Sequence, residues 1–149
     1  MPLRMTTPVI AGMLMQGTSA LPISLSLQDG PLRPRTFEMI GTIVLALVAA
    51  VLFGWAVGSA RHHSDANKLV TGGAYKWLRH PMYLAFLAML VATGFLASAG
   101  VKLLVAVVIY IAGSELRIAT EEAELLDRFP GDYARYRLQT RWRYLPGLR

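Results

Sequence analysis

Apolar positions gather in three runs along the chain, and length decides how each is read. Met39 to Ala60 (MIGTIVLALVAAVLFGWAVGSA) carries no charge and meets the requirement of about 20 residues for a helix that crosses the hydrocarbon core. Pro81 to Val101 (PMYLAFLAMLVATGFLASAGV) is also uncharged and of similar length. Leu103 to Ser114 is shorter, but Lys102 can snorkel and Gly100 can turn the chain. The last two runs are therefore expected to form a tight hairpin, its second arm continuing as a helix past Glu115. These patterns predict an all-α integral membrane protein with three transmembrane helices, at about 39–60, 81–100 and 101–128.

The N-terminus is patterned differently. Thr6 to Gln28 has no charge, yet Pro8, Gly12, Gly17 and Pro22 interrupt it. A broken first membrane helix, which would be a fourth span, a poor signal sequence and a leader all fit such a segment. Residues 1–38 are accordingly set apart from a membrane domain at 39–149, joined to it through the proline-rich PLRPR at 31–35.

Composition supports the membrane reading. Hydrophobic residues make up 54% and charged residues 16% of the chain, against roughly 45–50% and about 25% in a soluble domain. The absence of cysteine removes disulfides, thiolate metal sites and a cysteine nucleophile. A net charge of +6 raises nucleic acid as a partner. The basic residues instead flank the apolar runs, which suits anionic membrane lipids, so no nucleic-acid partner is expected. Arg61, Lys68, Lys76 and Arg79 face a single acid, Asp65, in one polar region, and seven arginines lie in the other, 115–149. Counting Lys and Arg places both regions in the cytoplasm. The hairpin returns the chain to one side, in agreement, while Arg33 and Arg35 fall outside as a small violation.

Two polar stretches hold the candidate chemistry. LVTGGAYKWLRHPMY, Leu69 to Tyr83, leads into the second apolar run. Pro81 suits the first turn of a helix, and exposed N–H groups there favour an anionic ligand group. The plain alternative is that Arg79 and His80 snorkel while Tyr75, Trp77 and Tyr83 form an aromatic belt. Gly72-Gly73 exceeds what a belt needs and provides a flexible backbone. In RIATEEAELLDR, Arg117 and Glu121 share a helix face and Glu122 points about 100° away. An exposed ion pair of this kind contributes about 0.3–0.5 kcal/mol, but ionisable groups beside a membrane are functional suspects. His62, His63 and Asp65 lack a candidate fourth ligand, so no metal is expected. The tail FPGDYARYRLQTRWRYLPGLR interleaves arginine with aromatics and is expected to lie on lipid headgroups.

Taken in series, these stretches resemble the isoprenylcysteine carboxyl methyltransferase family, within a wider group that includes phospholipid N-methyltransferases. The resemblance rests on Leu69–Tyr83, a hairpin, Arg117 with Glu121, Glu122 and Leu125, Phe129 with Tyr133 and Tyr136, and Arg143 with Pro146, all within residues 67–146. It implies S-adenosyl-L-methionine as methyl donor, in a cytoplasm-facing pocket formed by the polar loop and closed by a C-terminal helical tail. Donor contacts would then come from Asn67, Lys68, Leu69, Val70 and Tyr75, from His80, Pro81, Met82 and Tyr83, and from Glu121 and Glu122. Arg117 would be the catalytic and substrate-binding residue that faces the acceptor. Pro130 stands where glycine is common in the family. No glycine-rich dinucleotide turn is present, which argues for a helical architecture over the soluble methyltransferase one.

The expected partner is a lipophilic acceptor: a small molecule, a lipid or a prenylated chain. A carboxylate acceptor needs no general base, and Arg117 would hold it in a planar fork. A lipid amine needs a base, for which His80, Glu121 and Glu122 are candidates. Two other readings remain: a non-catalytic module that binds lipid or a partner, and a sterol-reductase-like enzyme. Arg117, Glu121, His80 and Tyr83 together argue against the first. The paired glutamates, without a nicotinamide phosphate site, argue against the second.

Overall fold

A computed structural model describes residues 7–28, 35–62, 68–145 and 147. Among these the regular elements are all helical. They are α1 (Thr7–Thr18), α2 (Leu21–Gln28), α3 (Thr36–His62), a single 3-10 turn (Gly73–Lys76), α4 (Pro81–Leu96), α5 (Val101–Arg128) and α6 (Pro130–Gln139).

Helix α3 starts where Glu38 reaches back to accept the Arg35 backbone N–H at 2.6 Å, a cap that satisfies one of the orphan donors at a helix start. Ser98 donates to the same carboxylate oxygen at 2.8 Å, tying this end to the turn between α4 and α5. With 27 residues α3 is about 40 Å long. It leaves Ile40, Ile43, Leu47 and Val51 exposed, as a helix bathed in lipid would.

Helix α4 is shorter than the apolar run predicts. It has 16 residues, or about 24 Å, and stops at Leu96 because Ala97–Gly100 form a compact turn. Ser98 and Gly100 both take positive φ there, and the Ala99 N–H returns to the Gly94 carbonyl at 2.9 Å. Ala97 and Ala99 are buried against Ile23 of α2 and Ala106 of α5. Among the described residues two helices, α3 and α5, are therefore long and apolar enough to cross a membrane, and α4 is a shorter apolar helix. The run at 103–114, the shortest in the sequence, belongs to the 28-residue α5.

Small residues bring these helices close together, since a side chain without bulk lets two backbones approach. Ala85, Ala88, Ala92 and Gly94 are buried along α4, and a Cβ on Gly94 would meet Leu103 Cδ1 at 2.5 Å. The segment before α3 is not detached from the rest: α1 and α2 both pack on α5. Gly73 has a specific role in place of general flexibility. It takes φ +61°, and a Cβ would collide with Ser59 of α3, whose hydroxyl accepts the Ala74 N–H at 3.1 Å.

Candidate functional site

The site assembles where the loop before α4, the polar end of α5 and the tail after α6 converge. Pro81 occupies the first turn of α4, and two backbone bonds fix its approach. The Arg79 N–H donates to the Trp142 carbonyl at 3.0 Å and the His80 N–H to the Arg143 carbonyl at 2.8 Å. Tyr136 and Thr140 add side-chain bonds to the carbonyls of Tyr75 (2.6 Å) and Lys76 (3.2 Å). The tail thus straps the loop along its length. Pro130 serves as the first-turn proline of α6, the position where its missing N–H costs nothing.

Beneath the strap lies an ion lattice around Glu122, which is 5% exposed. Arg79 Nε lies 2.9 Å from Oε1 and Arg143 Nη2 lies 3.1 Å from Oε2. Arg143 also reaches Glu115 at 2.5 Å. Arg79 does not snorkel: it is 6% exposed, because a carboxylate partner and the Thr140 carbonyl, 3.2 Å from Nη1, receive it inside. His80 lies between the two glutamates, Nδ1 3.4 Å from Glu121 and Nε2 3.5 Å from Glu122. Burial works to lower its pKa, but the paired carboxylates outweigh burial and hold it above the ordinary imidazole value.

Above the lattice is a cavity of about 1270 Å³. Lys68, Leu69, Val70 and Tyr75 line one wall, and His80, Pro81, Met82 and Tyr83 line the start of α4. Arg117 and Glu121 face it from α5. Burial, and then the Glu121 charge, raise the Tyr75 pKa. Glu121 accepts the Tyr83 hydroxyl at 2.6 Å and lies 3.5 Å from Arg117. The Arg117 guanidinium sits 5.7 Å over the Tyr83 ring, within cation–π range.

Glu122 departs from the expectation. It is not among the residues that line the cavity, and its carboxylate lies buried among Arg79, His80 and Arg143. The aromatic belt separates too. Trp77 is 67% exposed, whereas Tyr83 is buried and both Tyr75 and Tyr83 line the cavity. In the tail, Tyr133, Tyr136 and Tyr144 are buried, so this segment roofs the site, with Arg135 and Leu138 on its exposed face. Asn67, His63, Asp65 and Pro146 lie outside the described residues. Among the described residues no group of acids and histidines has metal-site geometry.

Two features were not legible in advance. Phe86, Met89, Leu90 and Thr93 line the cavity along α4, at spacings of three and four that put them on one helix face with Met82. Inside an uninterrupted apolar run that spacing does not stand out from its neighbours. Gln16 of α1 accepts a hydrogen bond from Arg117 at 2.8 Å; nothing in the N-terminal pattern marks it.

Residues 43–127, more than half of the chain, match the isoprenylcysteine carboxyl methyltransferase family. No curated protein and no solved structure matches the chain.

Proposed function

Because the chain belongs to the isoprenylcysteine carboxyl methyltransferase family, we propose that it is a membrane methyltransferase that uses S-adenosyl-L-methionine to methylate a lipophilic acceptor from the cytoplasmic side. One observation carries the reading: a single cavity joins a polar end, formed by His80, Tyr83, Arg117 and Glu121, to an apolar stripe on α4. Its volume of about 1270 Å³ exceeds the roughly 300–1,000 Å³ of a pocket for one drug-sized ligand. Two substrates, a polar donor and an apolar acceptor, suit that space and that division.

The residues fit the donor by chemistry. Glu121 retains acceptor capacity beyond the Tyr83 bond and suits an ammonium or ribose hydroxyls. Lys68–Val70 and Tyr75 would flank the purine, and the positive end of α4 suits a carboxylate. When bound, the donor supplies an electrophilic methyl group on a sulfonium. The chain's own part is to orient both substrates and exclude water, and positioning of that kind contributes much of the rate of a transfer in line.

An acceptor carboxylate is favoured over an amine. Of the three base candidates, His80 is held toward its protonated form and Glu122 is committed to Arg79 and Arg143. Glu121 lines the cavity, as does Glu124 one turn further along α5, but Glu121 Oε1 is the acceptor of the Tyr83 hydroxyl. A carboxylate acceptor requires no base, and the Arg117 fork, one helical turn before Glu121 on α5, matches its two oxygens. The deciding experiment is transfer of labelled methyl from S-adenosyl-L-methionine in membranes containing the protein, followed by alkaline hydrolysis. A base-labile ester supports the carboxylate; label retained on an amine assigns the phospholipid reaction instead.

A further inference from the structure

Gln16 lies outside the family-matched residues 43–127, on α1, and yet its amide is fixed at both ends inside the cavity. Its Oε1 accepts from Arg117 Nη1 at 2.8 Å. Its Nε2 donates to Ser114 Oγ at 2.9 Å, and Ser114, one helical turn before Arg117, is fully buried. The orientation has only one solution. A guanidinium can only donate, so the amide oxygen must face it, and the NH₂ group is left for the serine hydroxyl. Gln16 also lines the cavity beside Arg117.

We infer that Gln16 is a positioning residue that aims the Arg117 fork without neutralising it, so that a side chain outside the matched segment sets the geometry and charge with which the fork meets the acceptor. The inference rests on the methyltransferase reading above. Glu121 already lies 3.5 Å from Arg117, but that carboxylate is shared with the Tyr83 hydroxyl and with His80, 3.4 Å away. A second carboxylate would complete the neutralisation and compete with an incoming anion. A neutral amide supplies the same acceptor atom and leaves the positive charge for the substrate. An aliphatic residue would leave the charge but release the fork, which has a large rotamer freedom to lose on binding.

The test uses full-length protein in lipid nanodiscs and two probes, S-farnesylthiopropionate and its neutral primary amide, with binding followed by calorimetry. Wild type should prefer the carboxylate by about tenfold. Gln16→Glu should erase that preference while S-adenosyl-L-methionine affinity stays within about twofold. Gln16→Leu should keep the preference but bind the carboxylate several-fold more weakly. A Gln16→Glu protein with the wild-type ratio of affinities would overturn the inference. So would equal losses in both variants in step with melting temperature, since a merely structural bond would give that result. Wild type that binds the donor but does not distinguish the probes overturns it as well, with the donor reading intact. Wild type that is folded and binds no donor removes the methyltransferase reading first, and this inference with it.

Discussion

The Tyr83 hydroxyl donates to Glu121 Oε1 at 2.6 Å, joining the first turn of α4 to the polar end of α5 across 38 residues of chain. That length is typical of a charge-assisted O–H···O⁻ bond. It holds Glu121 toward the cavity instead of toward the lattice below. Tyr83→Phe should therefore loosen the carboxylate and cost about 1 kcal/mol of donor affinity. The partly exposed glutamate remains hydrated, so melting temperature should move little. Calorimetry beside a thermal melt separates the two effects.

Adjacent glutamates are assigned different work, and their variants should diverge. Glu122→Gln leaves Arg79 and Arg143 with a buried partner that has lost its charge, and should cost about 3–5 kcal/mol of stability. Glu121→Ala should leave the lattice in place and weaken donor binding by about 1–3 kcal/mol. Equal losses of stability in the two variants would contradict the division.

The lattice also has a pH signature. The groups facing His80 are Glu121 and Glu122 of α5, with Arg79 of the loop and Arg143 of the tail sharing Glu122. Its folded pKa lies above the ordinary value of 6.5. A raised imidazole pKa means that the folded state binds the proton more tightly, so its stabilisation is full below that value and fades as pH rises through the folded one. Melting temperature should fall as pH is raised from about 6.5 through the neutral range, and His80→Gln should flatten the curve. A wild-type melting temperature that rises over that range would reverse the sign.

Arg117 belongs to the acceptor side. Lysine keeps its charge but lacks the planar fork that meets Gln16 and the substrate together. Arg117→Lys should lose most methyl transfer while donor affinity changes by less than about 1 kcal/mol, the scale of a partly exposed ion pair. Initial rates beside donor titration check both halves.

Topology can be read directly, since the chain has no native cysteine. Cysteines placed at the exposed positions Thr71 and Gln139 should be labelled from the cytoplasmic side. A cysteine replacing Val101, exposed at the hairpin turn, should resist labelling from that side. Labelling of 71 and 139 from opposite faces would dismantle the shared site.

Much of this arrangement was legible in the sequence, for identifiable reasons. The expected third helix, 101–128, matches α5 at both ends, because Gly100 and the turn at Phe129 bound a continuous periodic segment. The second run misled because Ala97–Gly100 are small and apolar: hydropathy does not distinguish a buried turn from another turn of helix. In the site, the residues at 68–70, 75, 80–83, 117 and 121 surround one cavity, as their serial order suggested. Glu122 did not join them, although a rotation of about 100° from Glu121 already pointed it elsewhere. Gln16 was illegible because its meaning depends on α1 packing against α5, a contact that no local pattern encodes.

The most direct test of the central claim is calorimetric titration of S-adenosyl-L-methionine into the purified protein in nanodiscs, beside Glu121→Ala. Saturable binding by wild type, weakened by about 1–3 kcal/mol in the variant with no matching loss of melting temperature, is the predicted result. A well-folded wild type that gives no binding heat and transfers no label would contradict it.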